Sequence, residues 1–253
     1  MTRAPRERGA ARAPVPVLPE PLRVLYESDD YLAVDKPEGV LSVSQPGGEA
    51  GLPDLLRDRF PRRLFSVHRL DRGASGVIVL ARTAAAHRHL NGEFDRREVR
   101  KTYLALVDGA PASNRGRINA PLREFGSGRM GVDPRRGKPS TTEWKVAERF
   151  DGATLLRVSP ETGRRHQVRA HLYHLGHPIL GDLGYGDRDR QSRHPRLMLH
   201  ALAIEFRLPS GETVAVEAPP PPSFEAVLAA FRAGKKGPKE KESGQRSARR
   251  ESP

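Results

Sequence analysis

The chain has 253 residues, 36% of them hydrophobic, which is enough for a sizeable core in one large domain or two small ones. Its formal net charge of +13 indicates a polyanionic partner, because lysine and arginine bind phosphates with release of condensed counterions. Because the chain has no cysteine, it has no disulfide framework and no thiolate metal site. We see no signal peptide and no apolar run of about 18 residues, so we expect a cytoplasmic protein outside the membrane.

The two ends of the chain differ in composition from the body between them. Residues 1–20 are rich in Ala, Arg and Pro, and residues 233–253 form a charged, low-complexity tail. Neither segment carries a periodic apolar pattern, so both are predicted to be disordered. Residues 21–232 remain basic and are predicted to form a single domain.

Strands dominate the predicted elements of this domain. Thr83 is the expected N-cap of a helix over residues 84–94, a second helix covers 167–175, and Ser223 is the expected N-cap of a third over 224–231. Because strands outnumber helices and do not alternate with them, we expect an α+β fold with a central, largely antiparallel mixed sheet flanked by helices and loops. Alternating or β-branched runs predict the strands at residues 22–26, 31–35, 64–67, 77–81, 101–107, 141–147, 153–158, 198–208 and 213–218.

The most informative segment is the turn HRLDRGASG at residues 68–76, between two predicted strands. An aspartate in a Gly/Ser turn usually only bonds neighbouring backbone amides. Here Arg69 and Arg72 flank Asp71, and nearby cations favour an ionised carboxylate beside phosphates. Asp71 is therefore the leading candidate for a reactive acid presented to an anionic substrate.

A second polar segment, TGRRHQVRAHLYHLGHP, spans residues 162–178. On a helix, Arg169 shares one face with His166 and Tyr173, while apolar residues form the opposite face. A metal site at the histidines of this segment is the alternative interpretation. It is disfavoured because no acid lies at a familiar ligand spacing and the neighbouring cations repel a metal ion.

The order of the motifs resembles the RluA family of RNA pseudouridine synthases over residues 21–232. The resemblance implies isomerisation of a specific uridine to pseudouridine in 23S ribosomal RNA or tRNA, with no metal, nucleotide or organic cofactor. It also implies an RNA partner, and we expect the enzyme to be a monomer. The matching motifs are HRLD and Ser75-Gly76, KxY at 101–103, TGRxHQVRxH at 162–171, GHPIxGDxxYG at 176–186, RLMLHA at 196–201, DKP at 35–37 and GKP at 137–139.

The resemblance also implies roles for four residues. Asp71 matches the essential aspartate, which acts as a nucleophile on the ribose C1′ or as a base on C2′, and Arg169 matches the arginine that pairs with it. Tyr103 matches the tyrosine that packs on the target uracil. Arg69 matches the residue that fills the position vacated when the uridine leaves the base stack.

Two positions depart from the family pattern. Ala74 stands where Thr is usual, and residues 42–44 replace a His-Pro-Gly-like segment. Members often carry an S4-type RNA-binding domain, for which residues 1–20 are too few, so we expect RNA selection by the basic surface and by loops such as residues 115–138. Two rival functions remain open at this point: a noncatalytic RNA-binding factor, and a hydrolytic glycosylase that uses Asp71 with Asp182.

Overall fold

A computed structural model describes residues 22–45 and 48–234 of the chain, and both predicted disordered segments lie outside this range apart from residues 233 and 234. The helices are α1 (Leu52–Leu55), α2 (Ala84–Asp95), α3 (Gln167–His174), α4 (Arg188–Gln191) and α5 (Pro222–Arg232). The strands are β1 (Val24–Glu27), β2 (Tyr31–Lys36), β3 (Phe65–Ser66), β4 (Ser75–Ala81), β5 (Arg100–Asp108), β6 (Arg115–Asn119), β7 (Leu122–Glu124), β8 (Met130–Val132), β9 (Thr141–Phe150), β10 (Ala153–Pro160), β11 (Leu199–Arg207) and β12 (Thr213–Glu217).

One large mixed sheet organises the domain. Its main path runs β1-β2-β4-β11-β5-β10-β9-β6, with β12 beside β11 and β3 beside β4, while β7 and β8 form a separate hairpin. The pairings are antiparallel except for that of β4 with β11. The predicted α+β fold with a largely antiparallel mixed sheet is therefore confirmed.

All nine predicted strands are present, with ends displaced by a few residues. The predicted α2 also forms, and its N-cap Thr83 accepts a hydrogen bond from the backbone N–H of Ala86. Two expectations were wrong. Residues 115–138 are not simply loop, because they contain β6, β7 and β8, whose short sequences carry little apolar alternation.

The second error concerns α5, whose N-cap is Pro221 rather than Ser223. Pro222 occupies the first turn, where its missing N–H and fixed φ are favourable, so the helix begins earlier than predicted. The Ser223 hydroxyl instead donates to Glu38 Oε1 at 3.0 Å. The serine thus connects the helix to the loop after β2.

The central strands position the candidate site. All seven residues of β4 are buried, the neighbouring β11 is mostly buried, and residues 104–107 of β5, on the other side of β11, are apolar and buried. β4 begins directly after the turn that holds Asp71, so the packed core fixes the end of that turn. Within the described residues, no helix is long and apolar enough to cross a membrane.

Candidate active site

A cleft of about 560 Å³ lies where the turn at residues 68–74 meets the start of β5 and the loop before α3. Arg69, Asp71 and Tyr103 line this cleft, and Arg169 reaches Asp71 from α3. The structure therefore brings together all four site residues that the sequence predicted, although residues 71 and 169 are far apart along the chain. Because Asp71 lies in a recessed cleft with both cationic and aromatic neighbours, the cleft can receive a planar base joined to a phosphate backbone.

Several backbone contacts fix the turn itself. The N–H of Ala74 donates to the carbonyl of Asp71 at 3.0 Å. The hydroxyl of Ser42 donates to the carbonyl of Leu70 at 2.8 Å and accepts from its N–H at 2.9 Å. Ser42, one of the departures from the family pattern, thus holds the residue next to the candidate catalytic carboxylate.

Gly76 is required where the turn passes into β4. Its φ is +111°, and a Cβ at this position would lie 2.2 Å from the carbonyl oxygen of Ala201 on β11. A side chain cannot occupy that space, because the two backbones pair here in the parallel part of the sheet. The glycine of the Ser-Gly pair in the motif therefore has a structural reason.

His68 anchors the other end of the turn. Its Nε2 accepts a hydrogen bond from the backbone N–H of Val79 at 2.9 Å, which requires that this nitrogen carries no proton. Burial lowers the pKa of His68 to about 3, so its ring stays neutral. His68 thus has a structural role beside the site and is uncharged.

Arg169 is the close cationic partner of the Asp71 carboxylate. Arg169 Nη1 donates to its Oδ2 at 3.1 Å, and the Asp71 side chain keeps 15% exposure to solvent. His166 Nε2 lies 3.8 Å from Oδ1, but burial lowers the pKa of this imidazole, which favours its neutral form. Arg169 is therefore the group that compensates the charge of Asp71 while leaving one oxygen open to the cleft.

Arg169 is itself held by a second carboxylate. Asp182, whose side chain is 1% exposed, accepts hydrogen bonds from Nε and Nη2 at 2.7 Å each. Burial by itself would lower the pKa of Arg169, yet the hydrogen bonds to Asp182 and the charge of Asp71 raise it above its ordinary value. The guanidinium is permanently charged and fixed in direction, and both oxygens of Asp182 are engaged.

Aromatic rings continue this network away from the cleft. The guanidinium of Arg169 lies 4.9 Å from the centre of the Tyr185 ring, and that of Arg129 lies 4.6 Å from the centres of both Tyr185 and Tyr173. The Tyr185 hydroxyl accepts from the N–H of Met130 on β8 at 3.0 Å. The hairpin of β7 and β8 is thus linked to the arginine that holds Asp71, a link that the sequence pattern did not predict.

Tyr103 and Lys101 lie on the cleft face of β5. Burial, reinforced by the charge of Asp71, raises the pKa of the Tyr103 phenol well above its ordinary value, so it stays protonated at neutral pH. Burial lowers the pKa of Lys101 to about 8. The sequence placed both residues on one face of a strand but gave no role to Lys101, whose contribution becomes visible only when the cleft is assembled.

Arg69 differs from these fixed groups. Its side chain is exposed at the cleft and makes no hydrogen bond or ion pair within the part of the chain that the structure describes. A planar guanidinium in this state can both stack on bases and contact phosphate. Arg69 is therefore available to insert between the bases of a nucleic acid.

Two of the histidines considered for a metal site, His171 and His177, have other contacts, and His174 is exposed. His171 is fully buried, with Nδ1 at 2.8 Å from Thr142 Oγ1 and Nε2 at 2.9 Å from the carbonyl of Ala120. His177 Nδ1 lies 2.8 Å from the carbonyl of Asp108. Among residues 22–45 and 48–234, no group of three or more His, Asp or Glu is arranged to hold a metal ion.

The family model and the relatives that match this chain all describe the same kind of enzyme. A family model described as RNA pseudouridylate synthase matches residues 30–174. The ribosomal large subunit pseudouridine synthase C of Vibrio parahaemolyticus is 39% identical over 218 residues, which cover 83% of this chain and 69% of the relative. The protein of the same name from Escherichia coli K12 is 42% identical over 209 residues, 78% of this chain and 66% of the relative.

Two human structures share the fold. RNA Pseudouridylate Synthase Domain Containing 1 superposes with a TM-score of 0.70 at 33% identity, covering 84% of this chain and 95% of that chain. RNA Pseudouridylate Synthase Domain Containing 4 also gives a TM-score of 0.70, at 26% identity, with 83% and 92% covered.

Proposed function

Because the chain belongs to the RNA pseudouridylate synthase family and is an RNA pseudouridine synthase, we propose that it modifies a uridine of large-subunit ribosomal RNA with Asp71 as the reactive carboxylate. The observation that carries the assignment of Asp71 is its position in the cleft, 3.1 Å from a guanidinium that a second carboxylate fixes in place. One oxygen of Asp71 is thus left for chemistry on a bound nucleotide.

The reaction is an isomerisation in which atoms are neither gained nor lost. The bond between N1 of uracil and C1′ of ribose breaks, the freed base turns, and a bond forms between C1′ and C5. C5 loses a proton, and N1 carries one in the product. Asp71 attacks C1′ or removes a proton from C2′, and both routes need the ionised carboxylate that Arg169 favours. Neither route oxidises or reduces the base, so the proposal requires no cofactor.

Three neighbours of Asp71 complete the proposed site. Arg169 aims the carboxylate, and Asp182 aims Arg169 through two hydrogen bonds of 2.7 Å. Tyr103 offers an apolar ring to the uracil and a neutral hydroxyl near the reacting atoms, since its raised pKa keeps the phenol protonated. These side chains come from separate elements of one chain, so the proposal needs no second copy of the protein.

Arg69 has the properties needed to exchange with the target uridine. A uridine inside a helix must leave the base stack before Asp71 can reach its ribose, which costs a few kcal/mol of unstacking. Arg69 is exposed, makes no hydrogen bond or ion pair with the other described residues, and is located at the cleft beside Asp71. Its insertion into the vacated space recovers part of that cost by stacking.

The choice of ribosomal RNA rests on the relatives, whose names specify the ribosomal large subunit. This substrate also fits the strongly basic chain, because polyanion binding gains from counterion release. The proposal places the enzyme in the cytoplasm, where a cysteine-free chain is suited to reducing conditions. Transfer RNA is the alternative substrate that the experiment must distinguish.

The test uses RNA from a strain that lacks the protein. Deproteinised large-subunit RNA and bulk tRNA are incubated separately with the purified full chain, and pseudouridines are mapped by sequencing. We expect a new pseudouridine at a defined site in the ribosomal RNA with wild-type protein and none with Asp71→Asn, whose RNA affinity stays within about threefold. Asp151→Asn, which removes an exposed carboxylate from the β9–β10 turn, serves as the matched control and keeps full activity.

Product formed by Asp71→Asn at the wild-type rate refutes the assignment of the carboxylate. Product in tRNA alone refutes the assignment of the substrate while leaving the chemistry intact. Release of free uracil identifies hydrolysis instead of isomerisation.

A further inference from the structure

A second groove, of about 640 Å³, lies on the face of the sheet opposite to the cleft. Successive residues of a strand point to opposite faces, and β5 shows this alternation directly. Lys101 and Tyr103 line the cleft, whereas Thr102 between them lines the groove. In β10, Pro160 lines the cleft and Ser159 the groove. The groove extends from β5 across β10 and β9 to β6.

Three exposed cations form one row across the floor of this groove. Arg115 of β6 lies directly opposite Lys145 of β9, and Lys145 lies opposite Arg157 of β10. Neighbouring strands are about 4.8 Å apart, so the row spans about 10 Å. None of the three side chains forms an ion pair or hydrogen bond with another residue that the structure describes. We call this row the basic row.

The other charged groups of the groove do not neutralise the basic row. Arg117 and Glu143, the next cross-strand pair along the sheet, form an ion pair of 3.0 Å, and Arg117 also contacts Glu161 at 3.0 Å. The lining residues therefore carry four cations against one carboxylate, a net charge of +3. The available carboxylate is already engaged within its own pair.

The basic row does not contribute to the stability of the sheet. Like charges directly opposite each other on adjacent strands are unfavourable, and each member of the row faces another cation instead of an acid. On the same face of β10, Leu155 is 5% exposed whereas Arg157 and Ser159 are exposed, so the apolar covering ends where the groove begins. The row is open to solvent and to a ligand.

The groove also offers neutral hydrogen-bond donors. The hydroxyls of Thr102 and Ser159 are among its lining groups. Cations combined with neutral donors are the groups that bind phosphate oxygens.

We propose that this groove binds backbone phosphates of the RNA substrate, in a segment separate from the one that enters the cleft. The proposal rests on the proposed function, since it takes the same RNA as the ligand. Charge complementarity supports RNA as the occupant, and a row about 10 Å long can contact more than one phosphate. A ligand that reaches both faces of the sheet must be large and structured. The groove therefore favours long folded RNA over short fragments.

The first experiment removes the charge of the basic row. The triple variant Arg115→Gln, Lys145→Gln, Arg157→Gln is compared with wild type for affinity to deproteinised large-subunit RNA over a range of salt concentrations. We expect affinity to fall about tenfold or more, and the slope of log affinity against log salt to become shallower by about 2 to 3. A matched control neutralises Arg62, Arg88 and Arg207, three exposed cations that line neither cavity, and loses much less affinity.

Thermal unfolding separates binding from folding in these variants. Because the row consists of opposed like charges, the triple variant should melt at the wild-type temperature or slightly above it. Reduced RNA affinity in a protein of unchanged stability supports the proposal. Equal loss of affinity in the triple variant and the control overturns it, since that outcome reports only the total charge.

The second experiment locates the RNA. The chain contains no cysteine, so Ser159→Cys provides a unique attachment point in the groove for an iron chelate that generates hydroxyl radicals. We expect cleavage of the RNA at a discrete segment away from the modified uridine, and loss of this cleavage in the triple variant. The control is Ser210→Cys in the β11–β12 turn, which lines neither cavity.

The outcomes separate this proposal from the proposed function. Groove-specific cleavage and pseudouridine formation are measured independently, so an active enzyme without cleavage at the groove refutes only the second RNA contact. If the triple variant binds naked RNA normally but no longer binds assembled large subunits, the occupant is an acidic protein and the proposal is wrong.

Discussion

Asp182→Asn tests whether the carboxylate behind Arg169 positions the reactive group. The substitution keeps the size and shape of the side chain but removes its charge. It replaces one acceptor oxygen with an amide nitrogen that cannot accept from the guanidinium. Arg169 would then keep one of its two 2.7 Å hydrogen bonds to this residue and would depend on Asp71 as its remaining counter-charge.

The expected magnitude follows from the burial of the pair. Asp182 and Arg169 side chains are 1% and 13% exposed. Removing one partner of a buried ion pair costs about 3–5 kcal/mol, and here the second carboxylate and the retained hydrogen bond reduce the loss to about 2–3 kcal/mol. For a domain of this size, that corresponds to a fall in Tm of roughly 4–12 °C.

Activity should fall together with stability. Without Asp182 the guanidinium is drawn toward Asp71 and no longer holds it in one direction. We expect this misalignment to raise the activation free energy by about 1.4–2.8 kcal/mol, which lowers kcat about 10- to 100-fold. KM should stay within about twofold, because a side chain that is 1% exposed does not contact the RNA. The assay is single-turnover pseudouridine formation on deproteinised ribosomal RNA, well below the melting temperature of the variant.

Asp108→Asn is the matched control. It removes a carboxylate whose ion pair with Arg190 is 3.4 Å long and partly exposed, and such pairs contribute about 0–1 kcal/mol. Its Tm and kcat should remain close to wild type. If Asp182→Asn lowers Tm but leaves kcat unchanged, Asp182 has a purely structural role. If Tm is also unchanged, the expected loss of stability from breaking a buried ion pair is refuted as well.

Two further predictions concern charge in the cleft and backbone space beside it. Burial lowers the pKa of Lys101 to about 8, so its ammonium loses charge as the pH rises through 8. We therefore expect KM for ribosomal RNA to rise from pH 7 to pH 9 in wild type. An equal rise in Lys101→Arg would show that deprotonation of Lys101 is not the cause. Gly76→Ala should lower the free energy of unfolding by more than about 3 kcal/mol in chemical denaturation, because strain at positive φ adds to a clash with backbone. Gly152→Ala, with φ of +76° but open space around it, should cost clearly less, and equal losses would show that the clash is not the cause.

Much of the fold followed from local patterns. β4 and β10 carry buried apolar runs, and Thr83 caps α2 as its residue type predicts, because these features depend on neighbours within a few residues. β6 was not predicted, since its exposed arginines flank a glycine and only pairing with β9 makes it a strand. The α5 cap was misplaced because proline and serine both favour helix starts, and the prolines occupy the start here.

The sequence by itself also determined the chemical content of the site. The turn around Asp71, the KxY pattern and the segment around Arg169 specified an acid, an aromatic ring and a cation, because each motif is continuous along the chain. It left the role of Asp182 open, because the same residue could serve as the second acid of a hydrolytic glycosylase. That choice depends on two hydrogen bonds between residues on different elements.

Only the tertiary structure decided which groups face each other. It placed Asp71 beside Arg169 and tied Ser42 to the reactive turn. It also aligned Arg115, Lys145 and Arg157 across three strands on the far side of the sheet. The physical reason is that charge interactions and exclusion of water depend on distances of a few ångströms between distant parts of the chain, and strand register sets those distances.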